Sequence, residues 1–168
     1  MYDATVIDED RTLPAVLVEA HSLEFFEDHD GYDFQPDDEF DSVTETTHWW
    51  RAWTGDPAAT TPPFRVFGRD GTGGLAAIWS RGPIVFLGSE GELAVIARDL
   101  GDYLWLLANG VGPLERVDGV DRDPEPIPAL VDLAQRFTGD GARSLEAVYA
   151  AADAELPALT ALVNAAIS

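Results

Sequence analysis

Residues Pro63–Glu115 read PFRVFGRDGTGGLAAIWSRGPIVFLGSEGELAVIARDLGDYLWLLANGVGPLE. Four short apolar runs, Phe64–Phe67, Leu75–Trp79, Ile84–Leu87 and Leu93–Ala97, are cut by RDGTGG, SRGP and GSEGE. Gly/Pro punctuation of that density predicts strands joined by tight turns. The second and third runs lie too close together for a crossover helix, so they are expected to pair as an antiparallel hairpin, and the same holds for the third and fourth. The block therefore reads as an antiparallel meander rather than a doubly wound sheet. Asp99 is a good N-cap for a helix over Leu100–Ala108, and Asp102 adds negative charge to its first turn. Leu100, Tyr103, Leu104 and Leu107 give that helix a broad apolar face, and Asn109-Gly110 supplies its stop.

Working towards the N-terminus, Asp56–Pro63 is a Pro/Thr/Ala linker. Glu45–Trp53 reads as a short helix started by Ser42 or Thr44 and ended by Gly55. Asp28–Asp41 is an acidic loop broken by Gly31 and Pro36. Leu13–Glu27 carries apolar residues at near-helical spacing, and residues 1–11 are polar and expected to be flexible. Towards the C-terminus, Gly112–Pro128 reads as an acidic, Pro-rich connection and Ala129–Phe137 as a helix. Ser144–Ala166 has a helical pattern that Pro157 should kink or split. The expected fold class is α+β: a central antiparallel meander flanked by N-terminal and C-terminal helices. A single domain is expected over residues 1–168, with residues 112–168 as a C-terminal helical extension.

Composition supports one packed domain. The 168 residues are 46% hydrophobic and include five Trp, enough for one core and against global disorder. No run of 18 apolar residues occurs, and MYDATVIDEDR lacks a basic region followed by an apolar one. Neither a membrane span nor a secretory signal is expected, and a cytoplasmic protein is the simplest reading. Cysteine is absent, which excludes disulfides and thiol chemistry. The formal charge is −21, and residues 1–45 hold 15 acids against the single Arg11, a net of −14. A field of that sign attracts cationic partners and repels nucleic acid and anionic membranes.

No catalytic constellation stands out. Gly68–Gly74 (GRDGTGG) lacks the Lys-Ser/Thr ending of a phosphate loop and leads into a strand, so it reads as a turn. Gly88-Ser89-Glu90-Gly91 has the wrong spacing for a nucleophile elbow. His29 lies among Glu27, Asp28, Asp30 and Asp33, but neither zinc nor calcium spacing is present. His21 and His48 fall in predicted helices and read as structural or surface residues. Trp49, Trp50 and Trp53 form a dense aromatic patch: core packing of at least two is expected, with an exposed binding anchor as the alternative.

WWRAWTG (Trp49–Gly55), FGRDGTGGLAAIW (Phe67–Trp79), PIVFLGSEGELAVIARDL (Pro83–Leu100) and DYLWLLANGVGP (Asp102–Pro113) together resemble the SMI1/KNR4 family of the SUKH superfamily. Leu100, Tyr103, Leu104 and Trp105 match that family's terminal aromatic helix. The resemblance implies an α+β domain and, in bacteria, an immunity protein that binds a polymorphic toxin, often a nuclease, and blocks it. Eukaryotic relatives act as regulatory or scaffold proteins. A nucleic-acid-cleaving toxin needs a basic surface, and an acidic inhibitor complements one. The expected partner is thus a cognate, basic protein toxin, with no nucleic acid, membrane, metal or cofactor. The expected contact residues are Asp30, Asp33, Asp37, Asp38, Glu39, Asp41, Trp49 and Trp50. A scaffold adaptor remains open, as does a small-ligand binder or enzyme using an open sheet face.

Overall fold

The computed structural model describes residues 10–23, 34–120 and 123–167. Its centre is a five-stranded sheet in sequential order, every neighbour antiparallel. The strands are β1 (Gln35–Pro36), β2 (Phe64–Arg69), β3 (Leu75–Trp79), β4 (Ile84–Leu87) and β5 (Leu93–Ala97). The helices are α1 (Ala15–His21), α2 (Val43–Thr54), α3 (Leu100–Ala108), α4 (Pro113–Asp118), α5 (Pro128–Thr138), α6 (Leu145–Asp153) and α7 (Leu156–Ile167). The fold is α+β, and the meander expected from residues 63–115 is its sheet.

Turn chemistry explains the meander. At the β2–β3 turn the Asp70 carboxylate accepts from the backbone N–H of Thr72 at 3.0 Å and of Gly74 at 2.7 Å. The side chain thus satisfies donors that the reversal would leave bare. The segment is a hairpin loop, as its composition predicts. The register slips by one residue between Val66 and Gly68, a bulge, and Val66 and Phe67 pack on opposite sides of the sheet. Gly68 follows because the Phe34 ring crosses its α-carbon: a Cβ there would lie 2.5 Å from the ring.

Both faces of the sheet are covered, which is why its strands are almost continuously apolar instead of alternating with polar residues. One face packs Phe67, Ala76, Phe86 and Ile96 against α1, α3 and α5. Helix α3 is buried on every side from Asp102 to Ala108, the signature of a central helix. The other face packs Val66, Ala77, Val85 and Val95 against Trp50 of α2 and against Ala152, Leu159 and Val163.

Two expectations need correction. Asp28–Asp41 is not loop throughout: within its described part, Gln35–Pro36 pairs with Gly68 and Arg69 at the sheet edge. Gly112–Pro128 is not only a connection, because Pro113–Asp118 is helical, with Pro at N1 and Glu115 closing on the Gly112 N–H at 3.0 Å. The C-terminal helical extension, residues 112–167, packs on the core through Leu130, Leu133, Val148, Leu159 and Val163. Pro157 falls in the first turn of α7, and the pattern splits at Ala154–Glu155. Taken together, Leu145–Ile167 are long and apolar enough to cross a membrane, with a mean hydropathy of 1.2. Here that segment is two helices whose apolar stripe lies on the sheet, so this is weak evidence for a span.

Candidate partner-binding face

The acidic segment is pinned to the sheet before it can meet anything else. Arg69, the last residue of β2, reaches Asp37 Oδ2 at 3.0 Å and both carboxylate oxygens of Asp41, at 2.7 and 2.9 Å. The backbone N–H groups of Asp37 and Asp41 donate to the carbonyls of Phe67 and Val66. Phe34 and Phe40, both buried, anchor the described part of the segment, residues 34–41. Burial raises the Asp41 carboxyl above the usual carboxylate range, opposed by its bonds to Arg69. The two aspartates hold Arg69, whose guanidinium stays charged throughout the accessible pH range.

The expected contact residues therefore separate by role. Asp30 and Asp33 lie outside the described residues. Asp37 and Asp41 are occupied by Arg69. Asp38 is exposed and has no ion pair among the described residues, and Glu39, also exposed, meets Arg11 at 3.4 Å. Exposed pairs of that kind contribute only about 0–1 kcal/mol, so Glu39 can be recruited elsewhere at little cost. Beside Asp38, a groove of about 290 Å³ runs between α1 and β1, floored by Leu13 and Pro36. Val18 on its wall is half exposed, an apolar contact that the helical pattern of Leu13–Glu27 did not single out.

The three tryptophans on α2 divide in the same way. Ser42 caps the helix by accepting from the Glu45 N–H at 3.0 Å, Glu45 returns the contact to the Ser42 N–H at 3.1 Å, and Gly55 ends it at φ 77°. Trp50 is 4% exposed and meets Phe64 edge to face at a centroid distance of 5.6 Å. It is a core residue, so the contact role expected of it is corrected: its ring is already spent on the sheet. Trp53 stacks between Trp49 and Trp50 at 5.5 and 5.7 Å, and its indole N–H donates to the Gly88 carbonyl at 2.7 Å. Trp49 is the outer, partly exposed ring of the stack, rigidly held and suited to anchoring a partner.

Of the histidines, His48 is exposed on α2, and His29 lies outside the described residues. His21 is packed in an aromatic box of Phe34, Phe67 and Tyr103, with ring centroids 5.7 to 6.0 Å away. Burial lowers its pKa to about 4, so it is neutral at physiological pH. Among the described residues, no three His, Asp or Glu side chains converge as a metal site. The Arg69 clasp left no signal in the sequence, because its partners lie 28 and 32 residues away.

Comparison of the chain with protein-family models, with curated proteins and with solved structures finds no significant match.

Proposed function

We propose that this chain is a non-enzymatic, cytoplasmic binding protein that neutralises a basic protein toxin, in the manner of an immunity protein of the SMI1/KNR4 type. The observation carrying the reading is the net charge of −14 within residues 1–45. Around it stand Asp38 and Glu39, exposed on a segment braced by Arg69, and Trp49, partly exposed at the end of a fixed aromatic stack. Charge on a pre-ordered segment steers a cationic partner and loses little entropy on docking, while a rigid ring supplies the desolvated anchor. Asp37 and Asp41 serve this face indirectly, by keeping the segment in place.

The test is binding to the product of the neighbouring gene, measured over a series of salt concentrations. Neutralising the two outer acids together (Asp38→Asn with Glu39→Gln) should weaken association several-fold at low ionic strength and flatten its salt dependence. Trp49→Ala should accelerate dissociation. Unchanged affinity and salt slope in the double variant would remove this face from the interface, and absence of toxicity in the neighbouring product would remove the immunity role itself.

A further inference from the structure

A second cavity lies remote from the acidic segment. It is an open cleft of about 690 Å³ where β5 passes into α3, roofed by the loop between α5 and α6. At its base lies Asp102, whose side chain is 3% exposed. Two guanidinium groups converge on it, Arg98 Nε at 3.2 Å from Oδ2 and Arg143 Nε at 2.8 Å from Oδ1. Burial raises the Asp102 carboxyl, opposed by these two arginines. The ion pairs leave Asp102 Oδ2 and Arg143 Nε without an aligned hydrogen bond, although both atoms are buried. Buried polar atoms in that condition are uncommon, and they are satisfied when a ligand or ordered water occupies the space beside them.

The rest of the lining defines what would fit. Asp99 and Asp140 bring two further carboxylates, both on exposed residues, and the Phe137 ring is 48% exposed on the lining. Leu100 and Gly101, in the first turn of α3, also line the cleft, and the carboxylate of Asp99 caps that helix end by accepting from the Asp102 N–H at 2.8 Å. In a chain of net charge −21 this is a place where cations and anions are closely matched, two guanidinium groups against three carboxylates. A simple anion would meet Asp99 and Asp140, and a simple cation would meet Arg98 and Arg143. A molecule bearing both charges a few bonds apart meets neither objection.

We infer that this cleft binds a small zwitterion of the amino-acid type, its carboxylate on Arg98 and Arg143, its ammonium on the carboxylates of Asp99 and Asp140, and an apolar side chain against Phe137. Asp102 is the positioning residue: it holds both guanidinium groups at one point from below. This site is independent of the toxin-docking face, so either can fail without the other.

The experiment is a titration of the ¹⁵N-labelled full chain with three probes: L-phenylalanine, phenethylamine, which lacks the carboxylate, and 3-phenylpropionate, which lacks the ammonium. L-phenylalanine should give saturable shifts at the Gly101 and Gly141 amides with a Kd below about 10 mM, and each half-molecule should bind about tenfold more weakly. Arg98→Gln, at a half-exposed side chain, should weaken L-phenylalanine about tenfold while the spectrum elsewhere stays folded. Arg81→Gln, at an exposed pair with Glu155, should change nothing. No saturable shift, equal binding of either half-molecule, or full binding by the Arg98 variant would each overturn the inference.

Discussion

The hydroxyl of Tyr103 meets His21 Nε2 at 2.9 Å, joining the central helix α3 to helix α1 through a polar contact inside an aromatic box. Tyr103 is fully buried, and burial holds its hydroxyl protonated well above the ordinary tyrosine range. The pair is confined to neutral forms: a phenol that does not ionise beside an imidazole that resists protonation.

That confinement makes stability depend on pH. The folded-state pKa of His21, about 4, lies below the ordinary histidine value of 6.5, so between those limits the unfolded chain binds a proton that the native one refuses. Stability from this group is intact above pH 6.5 and is lost as pH falls towards 4, by about 3 kcal/mol in all. Relief of repulsion among 31 acids acts in the opposite direction over part of that range, so the comparison must be with a variant. Urea unfolding of wild type and His21→Gln at pH 7.5, 6, 5 and 4.5 should show the gap between them shrinking with acidity. A constant gap would contradict the assignment.

Tyr103→Phe should keep the ring packing and remove the contact of its hydroxyl with His21 Nε2, at a cost of about 1–3 kcal/mol. Combined with His21→Leu in a double-mutant cycle, the two changes should fall short of additivity by about 1 kcal/mol. Full additivity would mean that the contact carries no coupling.

The tryptophan stack predicts a division between fold and surface. Trp50→Ala empties a core position and should cost about 3–5 kcal/mol in chemical denaturation. Trp49→Ala, at the outer ring of the same stack, should cost clearly less. Comparable losses at the two sites would mean that Trp49 is structural and unavailable to a partner.

Arg69→Gln should loosen the edge of the sheet without unfolding it. The amides of Asp37 and Asp41, which bond to β2, should exchange with solvent about tenfold faster or more, while amides of β3 and β4 hold their protection. Uniform loss of protection would show instead that Arg69 supports the whole domain.

The sheet and its first helix were legible because their signals are local. Asp99 caps α3 through the residue three positions on, and Asp70 organises its turn within four residues. Helix α4 had a local signal too, Pro113 at N1 with Glu115 at N3, masked by the acidic, Pro-rich surroundings. Strand β1 had none: a Gln and a Pro make no alternating pattern, and their pairing depends on the flanking Phe34 and Phe40 and on Arg69 brought from β2. The face for a partner was legible as charge but not as availability. Counting acids cannot separate Asp38, which is free to act, from Asp41, which is held by an arginine 28 residues distant.

Helix α7 covers β5 and supplies Leu159 and Val163 to the second face of the sheet, far along the chain from the strands it protects. During synthesis the strands leave the ribosome well before their cover, and contacts of such wide sequence separation form late. The meander must therefore wait with one apolar side only partly covered, by Trp50 of α2. For that interval the heavy negative charge of the preceding segment acts as a solubility tag built into the nascent chain, keeping exposed strands of neighbouring copies apart until α7 arrives.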